Sequence, residues 1–275
     1  MKIDGVIYNT QNLGKDFVFS VMWHTSPARQ LSVKSAKDVV LAVNNAYRDM
    51  MPRTISGIGL TALDEIKTKG MSKEEKEEIN KDKEAIKNKK RELLSQLRME
   101  LAEKIAKEVF DKNRFDDNIH HNLCNFFKAG LEAVAKELND MLDSFEKRYG
   151  KKVAKIDTQK ITYGKAQKIV NMTMKLLYCF DDAKRYKKSV FINCHAPIDS
   201  IIIKFFYTES KTTPVWSKLD EDGYKDLQKK IRQDWKTITE KNGITGDFES
   251  LFFAEFAIWA TMGRGSNVTK DNIKF

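Results

Sequence analysis

The span 72–109 limits what this chain can fold into more than any other stretch. Ser72 followed by Glu75 is a capping-box signature. The run KEEKEEINKDKEAIKNKKRELL then alternates in charge with neither Pro nor Gly in it. Apolar anchors gather toward the end, at Leu93, Leu94, Leu97, Leu101 and Ile105. The pattern predicts one long helix whose first half is solvated and projects, or is mobile, because few apolar residues hold it down. A second amphipathic helix is predicted over about 117–148. Gly150 follows it, where a left-handed residue closes a helix. Two helices of this length commit the chain to a mostly α fold.

The rest of the chain fits around them. Residues 1–33 read as short strands or irregular structure: Phe17, Phe19 and Val21 alternate with Val18 and Ser20, and Trp23-His24 ends the run. Val39, Val40, Val43 and Tyr47 share one face of a helix over 34–50, which Pro52, Gly57 and Gly59 end. Ile161–Gly164 is a turn, and KAQKIVNMTMKLLYCF after it is helical. Helices over about 220–241 and 247–262 close the chain, with Trp216, Trp235 and Trp259 as bulky anchors. The reading divides into residues 1–110, with a small β element and the charged helix, and 111–275, an α-helical basic domain carrying the function.

Composition excludes several classes. Three cysteines, with no CxxC pair, build neither a disulfide framework nor a zinc site and favour a cytoplasmic setting. No apolar run reaches the roughly 18 residues a membrane helix needs, and MKIDGVIYNTQNLGKDF has no signal-peptide core, so no membrane role is expected. Four Pro, 13 Gly and 16 Phe exclude collagen-like and disordered chains. The chain lacks GxxxxGK[ST] and GxGxxG, which argues against nucleotide-cofactor folds; no cofactor is expected. The net charge of +10 is uneven. Residues 1–150 hold 26 Lys+Arg against 24 Asp+Glu, and residues 151–275 hold 23 against 15, an excess of +8. That excess points either to a polyanionic partner, DNA first, or to a generally lysine-rich surface.

Two features of the basic half bear on chemistry. Asp199 stands between Pro197-Ile198 and Ser200-Ile201, reading either as a carboxylate primed by apolar company or as a plain helix cap. Lys165, Lys168, Asn171 and Lys175 share one side of the preceding helix, as a phosphate grip with a nucleophilic lysine or as a solvated face.

KAQKIVNMTMKLL followed by PIDSIIIKFF resembles the catalytic core of the helix–hairpin–helix DNA glycosylases, the archaeal 8-oxoguanine type in particular. Lys168 precedes Asp199 by 31 residues and Lys165 by 34. The likeness covers about 45 residues. It implies a helical bundle of that type and DNA-base release with Asp199 stabilising the oxocarbenium, either with Asp199 positioning water or with Lys168 or Lys165 as the attacking amine. Base excision and the handling of hypermodified phage bases both fall in its range. Lys175, Asn171, Gln167 and His195 would meet substrate, with Tyr178, Trp216 and Trp235 as walls for an extruded base. The chain departs from the pattern at the hairpin: Ile55–Ala62 resembles it but lies about 140 residues before Asp199, so a working hairpin is expected near Ile161–Gly164. A four-cysteine iron–sulfur cluster has no ligands here.

Alternatives remain. One is a non-catalytic nucleic-acid-binding protein. Another is an α-helical ribonuclease or host-defence (phage defence) effector, although Arg114 has Ile119 where an Arg-x-x-x-x-His signature needs His. A Cys194–His195–Asp199 nucleophile is disfavoured because adjacent side chains seldom face each other. His120-His121 with Asp116-Asp117 read as a polar helix start in preference to metal ligands.

Overall fold

The computed structural model describes residues 1–3, 6–7, 36–50, 58–68, 70–179, 188–207, 213–263 and 269–270. The chain is mostly helical, with one small two-stranded ladder among the described residues, β1 (Lys2–Ile3) antiparallel to β2 (Val6–Ile7). The alternation expected over 17–24 lies outside the described residues. Then come α1 (Ala36–Met50), the short α2 (Thr61–Asp64), and the two long helices α3 (Lys73–Ile105) and α4 (Asp117–Tyr149). The second half holds α5 (Tyr163–Cys179), α6 (Lys188–Ile192), α7 (Ser200–Tyr207), α8 (Glu221–Asn242) and α9 (Leu251–Gly263).

Local chemistry sets the ends of the long helices. Ser72 Oγ accepts from the Glu75 amide at 3.1 Å, and Glu75 accepts from the Ser72 amide at 2.8 Å, completing the capping box. A π-helical turn, Ala106–Asp111, ends α3. Asp116 then caps α4 by accepting from Ile119 N at 2.8 Å, and Gly150 closes it at φ 63°. Leu123, Phe127, Leu131, Val134, Leu138, Leu142 and Phe145 form the buried stripe of α4. Gly130 lets α3 approach closely, since a Cβ there would lie 2.2 Å from a methyl of Leu97.

The first half of α3 does not project. Ile79 and Ile86 are buried, and Lys83 is only 8% exposed. Arg148, in the last turn of α4, reaches Glu78 and Asp82, while the Tyr149 hydroxyl donates to Asp82 at 2.8 Å. Three apolar or aliphatic side chains at helical spacing suffice to seat a helix whose other faces are charged. The apolar core is continuous across residue 110, with α1 packing on α5 and α3 on α4.

Helix α5 is the central element, buried at most positions from Tyr163 to Leu177. Its leading turn is pinned to the segment ahead of α8. Gly164 N donates to Leu219 O at 2.9 Å, and Thr162 Oγ1 donates to Ser217 O at 2.7 Å. Position 164 must be glycine, because a Cβ there would fall 1.9 Å from the Trp216 carbonyl oxygen. The expected turn at Ile161–Gly164 is therefore a docking point for residues 216–219. Of the hairpin-like Ile55–Ala62, residues 55–57 lie outside the described residues and Thr61 begins α2. No helix among the described residues is long and apolar enough to cross a membrane.

Candidate active site

The segment Cys194–Asp199 runs from α6 to α7 across one face of α5, and two kinds of contact arise there. At its end, Asp199 caps α7: Oδ1 accepts from the amides of Ile201 at 2.9 Å and Ile202 at 3.1 Å. The other oxygen, Oδ2, lies 3.3 Å from Lys168 Nζ, and the two side chains keep 12% and 14% of their exposure. Lys168 also sits over the Trp216 ring, 5.0 Å from its centre. One carboxylate oxygen thus builds the helix and the other faces a mostly covered amine. The helix-cap reading of Asp199 is what these contacts show, and the pairing with Lys168 adds to it.

The remaining contacts form a buried polar network. Asn171, fully buried, donates to Gln167 Oε1 at 2.8 Å, the Tyr224 hydroxyl at 3.1 Å and Ala196 O at 3.3 Å. Its carbonyl accepts from His120 Nε2 at 2.8 Å. His195 is 2% exposed and lies between the Tyr224 hydroxyl (2.9 Å from Nδ1) and Asp117 (2.8 Å from Nε2). An ionised carboxylate only accepts, so Nε2 carries the proton, and Nδ1 takes the hydroxyl hydrogen of Tyr224. Gln228 donates to Tyr224 and to Ala196 O, while Arg232 donates to Asp117 Oδ1, the oxygen that His195 also uses, at 3.1 Å. The rings of His120 and His195 stack with centres 3.8 Å apart.

This network fixes protonation states. Burial pushes His195 down to about 4 against the pull of Asp117, and burial with the neighbouring His195 and His121 puts His120 well below its ordinary value. The His195 hydrogen bond, joined by Arg232, holds Asp117 below the usual carboxylate range. The imidazoles take up protons more readily in the unfolded chain than in the folded one. Stability is therefore highest above 6.5 and falls as pH drops toward 4, where His195 titrates in the fold. Loss of the Asp117 contribution follows at still lower pH. Urea midpoints measured between about pH 7 and pH 4.5 are expected to decline, and Tyr224→Phe should leave most of that decline in place.

The other expected site residues are dispersed. Lys165 Nζ donates to Lys160 O at 2.6 Å and does not join Asp199. Asn171 and Lys175, expected on a shared open side, are 0% and 1% exposed, because Cys194–Asp199, α8 and α9 cover that face. Lys175 forms an ion pair with buried Glu255 of α9 and lies over Phe256, 4.4 Å from the ring centre. Gln167 is wholly buried, so neither it, Asn171 nor Lys175 is placed to meet substrate. Tyr178 packs edge-on to Phe191 and Phe253. Trp235 is buried and donates to Phe248 O at 3.0 Å. His195 serves the network, and the Cys194 thiol points to Val190 O at 3.4 Å, so no Cys–His–Asp nucleophile assembles. Among the described residues no three His, Cys, Asp or Glu side chains converge as metal ligands.

Sequence reasoning missed Tyr224, Gln228, Arg232 and Glu255, and read Asp117 only as part of a polar helix start. Signals were present: Tyr224, Gln228 and Arg232 recur every fourth residue along α8, and Glu255 stands inside an apolar run. A cleft of about 1010 Å³ lies beside the network, lined in part by Asp117, Asn193, Arg232 and Lys236. Lys168 and Asp199 are not among its walls. No family model matches the chain, and neither a curated protein nor a solved structure does.

Proposed function

We propose that this chain is a DNA-base N-glycosylase working through Lys168 and Asp199. The observation that carries the reading is their meeting: residues 31 apart are brought to 3.3 Å at a mostly buried position beside Trp216. The segments that resemble the helix–hairpin–helix glycosylases include these two residues. The chemistry follows from the pair. The N-glycosidic bond breaks with its electrons going to the base, which takes a proton as it leaves. The Asp199 carboxylate stabilises the positive charge left on the sugar. Lys168 passes a proton by way of Asp199 to the departing base, which leaves Asp199 ionised. The free amine bonds to C1′, the C1′–O4′ bond breaks, and the proton lost from nitrogen goes to the ring oxygen, giving the Schiff base. Lys160 and Lys218 are exposed near this position in the chain and Lys165 is half-buried, which suits contact with phosphates.

The test uses duplex DNA carrying a panel of damaged and modified bases. Free base should be released, and DNA affinity should fall steeply between about 50 and 200 mM salt. Salt-dependent binding with no base released from any member of the panel would leave a nucleic-acid-binding module in place of an enzyme. Binding that ignores salt would reject both.

A further inference from the structure

We infer that Gln167 is the positioning residue that sets Lys168 against Asp199. Its side-chain amide is 0% exposed and fully used. Nε2 donates to Gly164 O at 2.9 Å and to Ile198 O at 3.0 Å. Oε1 accepts from Asn171 Nδ2 at 2.8 Å and from Ile198 N at 3.4 Å. Both hydrogens and both lone pairs are engaged. The amide therefore grips the peptide groups of Ile198 from both sides, as a neighbouring strand would.

The register is what gives this grip a consequence. Gln167 is the residue before Lys168, and Ile198 is the residue before Asp199. The same offset of 31 that separates Gln167 from Ile198 separates Lys168 from Asp199. Locking the first pair fixes the second. Asn171 extends the hold one helical turn further, on Ala196 O, and ties it to Tyr224 and His120. Residues 194–198 have no regular secondary structure of their own to set this register. A carboxylate that must hold one oxygen for α7 and offer the other to an amine tolerates little drift.

The geometric part stands alone; the consequence for base release rests on the proposed function. The test reads the placement of Lys168 directly. The folded chain is treated with an amine-acetylating ester, and each lysine is quantified by peptide mass spectrometry, with exposed Lys218 as the internal reference. In the parent, Lys168 should be slow, because Asp199 and Trp216 cover it.

Gln167→Met keeps the length and removes every hydrogen bond. Lys168 labelling relative to Lys218 is expected to rise about tenfold, the scale of losing about one net hydrogen bond. Lys175, held by α9, should stay protected. Gln167→Glu supplies a donor only when its carboxyl is protonated, a form that burial favours. Lys168 protection in that variant should therefore return as pH is lowered, which a simple volume effect does not do.

Three results overturn the inference. One is Lys168 as slow in folded Gln167→Met as in the parent. Another is Gln167→Glu matching Gln167→Met at every pH. The third is both variants unfolding, with Lys175 labelled as fast as Lys218. Absence of any base release by the parent sinks the glycosylase reading alone, since the labelling ratio still decides the role of Gln167.

Discussion

Asp199→Asn is expected to fold at close to parental stability and to release base about 10²- to 10³-fold more slowly. The asymmetry follows from the two oxygens. Asn keeps an acceptor for the amides of Ile201 and Ile202, so the start of α7 survives. The other position becomes an NH2 group facing Lys168, and the negative charge that the sugar cation needs is gone. The pair is mostly buried, but Lys168 keeps an edge toward water, so losing it should cost about 1–2 kcal/mol of stability. DNA affinity should persist or tighten, since the variant removes a negative charge from a surface meant for phosphate. Single-turnover base release, set against a urea melt and a binding isotherm, separates the outcomes. An Asn variant that unfolds makes Asp199 a cap alone, and one that keeps full base release removes it from the chemistry.

The largest stability effect is expected one layer deeper. Lys175 and Glu255 are each 1% exposed and join α5 to α9. Lys175→Met leaves a carboxylate buried without its partner, which should cost about 3–5 kcal/mol at neutral pH. Burial already raises the Glu255 pKa, against the opposing pull of Lys175. Without the lysine, Glu255 takes up a proton in the fold more readily than in the unfolded chain. Its neutral form then stabilises the fold at low pH, and that contribution is lost as pH rises through the raised pKa. The variant should thus gain stability on mild acidification, the opposite of the histidine-driven trend. Lys175→Met combined with Glu255→Leu should recover most of the loss, because apolar replacement of both partners removes the uncompensated charge. Urea unfolding of the two variants at two pH values checks this. A single variant that loses under about 1 kcal/mol would show that water reaches the pair.

The lysines of α5 show where the sequence was readable and where it was not. Their common helical face follows from spacing, whereas the pairing of that helix with the Pro197–Asp199 segment was implied by the resemblance. Their roles differ because three separate partners meet them: Lys160 O for Lys165, Asp199 for Lys168, and Glu255 for Lys175. Helical spacing tells which way a side chain leaves its helix but not what covers it. Glu255 lies inside the apolar run LFFAEFAIW, so a buried partner was signalled there without being identified. Caps were the most legible feature, since Ser72, Glu75 and Gly150 act within a few residues of themselves. The packing of early α3 was hidden because charged residues outnumber the few aliphatic side chains that seat it. The buried network was least legible. His120, Asn171, His195 and Tyr224 come from three helices and a loop, and each alone reads as an ordinary polar residue.

The central claim is that Lys168 and Asp199 act together on a sugar. Borohydride reduction during turnover tests it most directly, because it fixes a transient Schiff base to the lysine that formed it. Peptide mapping of the reduced protein–DNA adduct is expected to place the sugar on Lys168, and Lys168→Gln should abolish the adduct. An adduct on Lys165 or any other lysine, or base release with no adduct at all, would contradict the account.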